Sequence, residues 1–112
     1  MFAQSRKNKR IELRMRCWCV GESATLYVNI VNVSAGGLFI KTYTPFRPGE
    51  TVKVRWTFPG EQGEHEAVAE VAWKRDDRTP PGMGLRFVSV RDDTAEALKR
   101  LAGDEQPLNK MN

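Results

Sequence analysis

The sequence predicts an all-β domain, a six-stranded antiparallel β-barrel with one C-terminal α-helix and a basic N-terminal arm. Three observations lead to this prediction. Apolar and polar residues alternate in six short runs, which is typical of strands that are buried on one face. Turns rich in glycine and proline separate these runs, and one amphipathic helical stripe follows the last of them. The 112 residues are enough for one compact domain and too few for two.

The predicted arm comprises residues 1–10, which contain almost no apolar residue after Met1 and Phe2 and therefore cannot form a periodic face. Residues 1–20 carry six arginines and lysines against one glutamate, a net charge of +5, while the whole chain carries +4. The positive charge is thus concentrated at one end of the chain. This distribution indicates an anionic partner that binds at one place and not a basic surface that binds nucleic acid all around the domain.

The first three strands are predicted at Ile11–Cys19, Thr25–Val33 and Gly37–Thr42, with Trp18 on the outer face. Residues 32–37, with the sequence Asn-Val-Ser-Ala-Gly-Gly, form the polar turn between the second and third strands. Such a turn fits a plain hairpin in which the two glycines supply positive φ. It also fits a ligand platform, because Asn and Ser offer donors and acceptors and glycine lets a ligand approach the backbone.

Residues 51–58 and 64–75 continue the alternation on either side of a glycine-containing turn, and we interpret them as the fourth and fifth strands of a long hairpin. Trp56, Phe58 and Trp73 fall on the apolar side of this pattern. We therefore expect all three aromatic side chains to face the interior of the barrel.

A sixth strand is predicted around residues 83–87, and one helix follows it. Asp93 and Glu96 have the spacing of a capping box at the start of this helix, and Gly103 is a suitable stop. The predicted domain thus spans residues 11–103 and leaves a polar tail at 104–112. One helical stripe would pack on the barrel, and it consists of Thr94, Ala97, Leu98 and Leu101.

The sequence gives little support for catalysis, a metal site or a bound cofactor. No catalytic residue set can be assembled, and His65, between two glutamates, is expected on a solvated face. Cys17 and Cys19 are expected to be small apolar core residues, because too few ligands accompany them for zinc. No run is long enough to span a membrane and no signal peptide is apparent, so we expect a cytoplasmic protein.

Residues 6–10 and residues 32–37 carry two short motifs, which resemble those of the PilZ domain family. Residues 6–10 (Arg-Lys-Asn-Lys-Arg) fit the pattern RxxxR, and residues 32–37 fit the pattern [D/N]xSxxG. The residues after the turn and those of the fifth and sixth strands, including Gly-Met-Gly-Leu-Arg-Phe at 82–87, are also similar to this family. The resemblance extends from Arg6 to Ala102 and is specific because both motifs occur in order on the expected elements.

The resemblance implies a six-stranded barrel that acts as a receptor for the bacterial second messenger cyclic di-GMP. By analogy with the family, Arg6 and Arg10 would fold over the ligand and hold its phosphates and guanine. Asn32 and Ser34 would bond a guanine edge, and Gly37 would leave room for it. The expected function is a non-enzymatic receptor or adaptor that orders its arm over the ligand and signals to a partner protein.

Two other functions remain open. The first alternative is a PilZ-type module that binds no nucleotide and acts through protein contacts, for which Trp18, Phe46 and the proline-containing loop offer an exposed surface. The second alternative is a small basic barrel that binds single-stranded nucleic acid. The second is disfavoured because most aromatic residues that can be placed on strands fall on inward faces.

Overall fold

The computed structural model describes residues 11–76 and 81–102. Its six strands and single helix are β1 (Ile11–Val20), β2 (Thr25–Ser34), β3 (Gly37–Lys41), β4 (Thr51–Trp56), β5 (His65–Arg75), β6 (Gly82–Val90) and α1 (Asp92–Ala102). The strands close into an antiparallel barrel in the order β1-β2-β3-β6-β5-β4. The predicted fold class is thereby confirmed, while the arm, Gly103 and the tail lie outside the described residues.

The interior of the barrel is filled by the side chains that alternate with outward-facing ones. Cys17 and Cys19 are buried free thiols, as predicted. Trp56 and Phe58 also face inward, with their rings 5.8 Å apart in an edge-to-face arrangement. Because side chains occupy the interior, a ligand has to bind on the outer surface. The apolar core further includes Met15, Ile30, Val33, Leu38, Ile40, Val52, Val54, Ala67, Ala69, Val71, Met83, Leu85, Ala97 and Leu98.

The strand register shifts at several points, and the β-bulges in β2 and β5 turn the following side chain outward. In β2 the register with β3 steps from Ile30 to Asn32, so Val31 is the extra residue. In β5, Val71 and Trp73 pair with the consecutive residues Leu85 and Gly84 of β6, so Ala72 is the extra residue. A bulge shifts the side-chain period by one residue.

The prediction that Trp73 faces the interior is therefore wrong. Val71 lies in the core, but the indole of Trp73 is on the outer face and 41 % exposed. The bulge at Ala72 is the physical reason, because it reverses the face that the next residue would take in a regular strand.

Helix α1 packs against β2 and β5. Thr94, Ala97 and Leu98 of the predicted stripe are buried, and Leu101 is partly buried against the apolar core. The helix begins at Asp92, two residues earlier than an N-cap at Asp93 requires, and the Arg91 carbonyl accepts the N–H of Ala95. The Asp93 carboxylate instead accepts the Thr94 N–H at 2.8 Å within the first turn.

His65 connects the helix to the barrel and is buried, contrary to the prediction of a solvated side chain. Its Nδ1 lies 2.7 Å from the Thr94 hydroxyl, and its ring stacks on Trp56 with a centroid distance of 6.0 Å. The physical reason is strand register, because His65 pairs with Trp56 of β4 and shares the inward face of Ala67. Its Nε2 lies 3.5 Å from a carboxylate oxygen of Glu61.

No helix in the described part of the chain is long and apolar enough to cross a membrane.

Candidate ligand-binding site

The polar turn joins β2 to β3 through only two residues, Ala35 and Gly36. The N–H of Gly36 donates to Ser34 Oγ at 3.3 Å, and the carbonyl of Gly36 accepts the N–H of Phe87 at 2.9 Å. Ser34 is buried and thus has a structural role in the turn. The turn is fixed to β6, so it forms a rigid corner on the outer surface.

The two glycines of the turn do not have the positive φ that was predicted for them. Among the described residues, positive φ occurs at Gly49, Gly60 and Gly63. Gly37 is required for a different reason, since a Cβ there would lie 1.9 Å from the carbonyl oxygen of Leu85. The missing side chain allows β3 to approach β6 closely.

Asn32 faces outward at the start of a row of cross-strand neighbours. The bulge at Val31 places Ile30 and Val33 in the core, which puts Asn32 on the opposite, outer face. Its partner in β3 is Phe39, which pairs with Gly84 of β6. The row ends in β5 because Gly84 also pairs with Trp73.

Phe39, Trp73 and Arg75 form an aromatic shelf along this row, and Phe39 lies next to Asn32. The rings of Phe39 and Trp73 are stacked, with centroids 5.4 Å apart and an interplanar angle of 17°. The Arg75 guanidinium lies 4.8 Å from the centroid of Phe39 and 5.5 Å from that of Trp73. Gly84 lies beneath the indole, where a Cβ would come within 2.3 Å of the ring. Phe39 is only 3 % exposed, so the shelf offers the exposed part of the Trp73 indole and the Arg75 cation to a planar ligand.

A second row lies beside the first and supplies charge. Ser34 pairs with Gly37, Gly37 with Arg86, and Arg86 with Glu70. The Arg86 guanidinium forms an ion pair with the Glu70 carboxylate, so the charges of this row offset each other. This part of the outer face therefore offers hydrogen-bonding groups with little net charge, and an anionic ligand would need cations from elsewhere.

Three of the five residues predicted to bind a ligand lie together in the structure. Asn32, Ser34 and Gly37 share the corner between β2 and β3, while Arg6 and Arg10 lie outside the described residues. Asn32 and Trp73 are separated by three strand spacings, about 14 Å at ~4.8 Å each. This spacing applies to the backbone, because the indole of Trp73 extends back over Gly84 to the ring of Phe39, the partner of Asn32.

Sequence reasoning missed the aromatic shelf. The alternating pattern placed Trp73 inside the barrel, and no sequence signal marks the bulge at Ala72. A cluster of residues with the spacing of a metal site is absent from the part of the chain that the structure describes.

The profile of the PilZ domain family matches residues 4–104. No curated protein sequence matches the chain significantly. Solved structures with a similar fold include the inhibitor of motility MotI/DgrA of Bacillus subtilis, with a TM-score of 0.72 and 21 % identity over 88 % of this chain. This chain spans 50 % of the length of that protein.

Two further structures are PilZ domains. One is the PilZ domain of YcgR from Escherichia coli with c-di-GMP, at a TM-score of 0.64 and 19 % identity over 88 % of both chains. The other is the PilZ domain of CeSA from a cellulose-synthesising bacterium, at a TM-score of 0.61 and 18 % identity over 82 % of this chain and 92 % of that one. At these identities the structures establish a shared fold.

Proposed function

Because the chain belongs to the PilZ domain family, we propose that it binds cyclic di-GMP on the outer face of the barrel and signals to a partner protein. The observation that carries this proposal is the pairing of the first residue of β1 with the strand that bears Asn32 and Ser34. Ile11 is the register partner of Val33, which lies between Asn32 and Ser34. Arg10 precedes Ile11 directly in the sequence, which supports a role for the RxxxR segment at the polar corner.

Each motif residue has a chemical role in this proposal. Arg6 and Arg10 clamp phosphate oxygens and a guanine, because a guanidinium presents paired donors to both. Asn32 and Ser34 are assigned to a guanine edge, and Gly37 leaves room for it. Ser34 is buried and its Oγ accepts the Gly36 N–H, so Asn32 is the more accessible of the two. The PilZ domain of YcgR, which shares this fold, was solved with c-di-GMP.

We extend the site to Trp73, which lies on the same outer face as Asn32 through the row of cross-strand neighbours. Its indole is 41 % exposed and stands beside Arg75. A base that stacks on the shelf gains dispersion and cation–π contacts. A base of the dinucleotide therefore has an exposed aromatic side chain to contact on the same outer face as Asn32.

The arm is expected to become ordered when the ligand binds. Ordering costs roughly 1–2 kcal/mol for each residue that is fixed, and charge-assisted hydrogen bonds to the phosphates have to exceed this cost. Arg6 and Arg10 supply these bonds in the proposal, since the guanidinium of Arg86 beside the corner is already paired with Glu70. The ordered arm then offers a new surface to a partner protein.

Isothermal titration of the purified chain with cyclic di-GMP tests the proposal, with GMP and cyclic di-AMP as control ligands. We expect selective binding that is lost in the Arg6→Ala, Arg10→Ala double variant. A matched double variant, Lys99→Ala with Arg100→Ala, removes two exposed cations from the helix and is expected to bind as the wild type does. Equal affinity of the two double variants would refute the role of the arm.

The contribution of the corner is tested by Asn32→Ala. We expect at least about tenfold weaker binding, because a guanine edge loses its partner. Asn29→Ala is the control, since Asn29 is an exposed residue of the same strand outside the row. If both variants bind equally well, the guanine site lies elsewhere.

The alternative of a protein-interaction module without nucleotide binding predicts that folded protein gives no heat with cyclic di-GMP. For that module the sequence suggested Trp18 and Phe46 as exposed contacts. Trp18 is indeed exposed, whereas Phe46 is partly buried against the core. Trp73 adds an outward aromatic side chain, so a single-stranded oligonucleotide belongs in the same titration series.

A further inference from the structure

Two large aromatic side chains form an exposed pair on the outer faces of β1 and β2. Trp18 and Tyr27 are cross-strand partners, their ring centroids are 4.6 Å apart, and they are 43 % and 50 % exposed. The Arg16 guanidinium lies 5.3 Å from the centroid of Tyr27. Arg55 of β4 is the partner of Trp18 on its other side. We call these four residues the Trp18 surface.

The core of the barrel does not require these rings. The inward neighbours of Trp18 are Cys17 and Cys19, which are fully buried, so the indole stands outside a filled interior. Tryptophan, tyrosine and arginine are the residues most enriched at the energetic centres of protein interfaces. An adjacent pair of exposed rings flanked by two arginines has the composition of such a centre.

The arginines of the Trp18 surface carry charge that the described residues do not neutralise. Arg16 and Arg55 form no ion pair within the described part of the chain, whereas Lys53 pairs with Glu66 at 3.5 Å. Glu66 is the register partner of Arg55, but its carboxylate is held by that lysine. Arg16 and Arg55 are therefore available to an acidic group from another molecule.

We propose that the Trp18 surface is a docking site for an acidic segment of a partner protein that also carries a large apolar side chain. The carboxylates would pair with Arg16 and Arg55, and the apolar side chain would cover the exposed edges of the aromatic pair. A single-stranded nucleic acid is the other anionic partner that rings and arginines bind, and the test below distinguishes it from the acidic segment. Trp18 and Tyr27 lie against each other, and Arg16 covers Tyr27.

The position of this surface relates it to the nucleotide site. Both use β1 and β2, since the start of β1 at Ile11 lies opposite Val33 and its later part carries Trp18. An arm ordered by ligand would extend from the start of the strand that bears the docking surface. This coupling rests on the proposed function, whereas docking of an acidic segment does not require the nucleotide.

The test measures fluorescence anisotropy of labelled peptides with the full chain. The probe is a short peptide of alternating aspartate and glutamate around a central leucine or phenylalanine. The control peptides replace the acids by lysine or the apolar residue by glycine. We expect only the acidic, apolar peptide to bind, with an affinity that falls as ionic strength rises.

Variants locate the binding. We expect Trp18→Ala and the Arg16→Glu, Arg55→Glu double variant to bind the acidic peptide at least about tenfold more weakly than the wild type does. Tyr43→Ala and Arg100→Glu are matched controls, because Tyr43 is 79 % exposed on a loop and Arg100 is exposed on α1. Circular dichroism verifies that each variant is folded. If Trp18→Ala does not fold, the charge-reversal double variant still tests the proposal.

Four results would overturn the proposal: no binding of any acidic peptide, equal binding by the charge-reversal variant, preferential binding of single-stranded oligonucleotide, or self-association in sedimentation that Trp18→Ala abolishes. The last would identify the surface as a contact between two copies of this chain. Cyclic di-GMP is titrated in parallel. Its failure to bind refutes the proposed nucleotide function, while peptide binding that persists leaves the docking surface supported.

Discussion

At the scale of single residues, the two neighbouring glycines of the β2–β3 turn have different structural roles. A Cβ on Gly37 would collide with the Leu85 carbonyl oxygen, whereas a Cβ on Gly36 would meet nothing within 4 Å. Neither glycine has positive φ, so alanine is compatible with the backbone conformation at both positions. Because neither substitution strains the backbone, a difference in stability between the two alanine variants measures the steric contact at Gly37 alone.

Gly37→Ala is expected to destabilise the protein by about 1–3 kcal/mol, because backbone rather than a flexible side chain blocks the new methyl group. Gly36→Ala is expected to change stability by less than about 0.5 kcal/mol. Urea denaturation of both variants measures the difference. Equal stability would mean that β3 and β6 do not approach each other as closely as described.

The two cysteines make a second prediction at this scale. Burial raises the pKa of Cys17 and of Cys19 to about 12, with a smaller contribution from the Cys19 charge at Cys17 and from the Glu50 charge at Cys19. Because the thiolate is the reactive form, the native protein should react slowly with a thiol reagent at mildly alkaline pH and the urea-unfolded protein rapidly. Fast labelling of the native protein would contradict the buried placement.

The same pKa values determine how stability varies with pH. The folded-state pKa lies above the ordinary value of 9.0, so the unfolded chain loses these protons first as pH rises. The contribution is complete below pH 9.0 and is lost progressively toward about 12. We expect the Cys17→Ala, Cys19→Ala double variant to show a weaker decline of urea stability over this range than the wild type.

At the scale of secondary structure, alternation and turn chemistry predicted all six strands and the helix from the sequence. The strand ends were placed within a few residues because glycine and proline turns interrupt the period clearly. The bulges were not predictable, since one extra residue changes which face a side chain takes without changing composition. For this reason Trp73 was assigned to the wrong face and the shelf beside Asn32 was missed.

The position of His65 was predictable in principle. Its neighbours in the chain are glutamates, which suggested solvent exposure, yet it shares a two-residue period with Ala67 and Ala69. The polar corner was identified from the sequence because Asn, Ser and Gly are recognisable without knowledge of the register. Arg6 and Arg10 stay predictions, since they lie outside the described residues.

The contact of His65 with Thr94 makes a prediction about how helix α1 is held. Thr94→Val keeps the shape of the side chain but leaves His65 Nδ1 without its partner at 2.7 Å. We expect a loss of about 1–3 kcal/mol of unfolding free energy, measured by urea denaturation. Thr25→Val, at an exposed strand position, is the control and should cause no comparable loss. If the two variants are equally stable, the hydrogen bond does not contribute to helix docking.

At the scale of the whole molecule, the closed barrel has a filled interior and carries its candidate sites outside. The polar corner, the aromatic shelf and the Trp18 surface all lie on the outer face of one sheet. A ligand on such a surface needs little rearrangement of the core, so binding should stabilise the folded barrel as a unit.

Cyclic di-GMP at about one hundred times its dissociation constant is expected to add about 2.7 kcal/mol to the free energy of unfolding. The increase should disappear in the Arg6→Ala, Arg10→Ala double variant and with GMP as ligand. Urea denaturation followed by tryptophan fluorescence and by circular dichroism measures it. An equal increase with GMP would indicate binding without recognition of the dinucleotide.

The bulges at Val31 and Ala72 make the outer face depend on the number of residues in a strand as well as on their identity. Loss of the single codon for Ala72 would restore strict alternation and direct the indole of Trp73 into a barrel that is already full. When homologous genes are aligned, a gap at this position should therefore coincide with a small side chain in place of the tryptophan. Insertions and deletions are thus as informative about this surface as substitutions are.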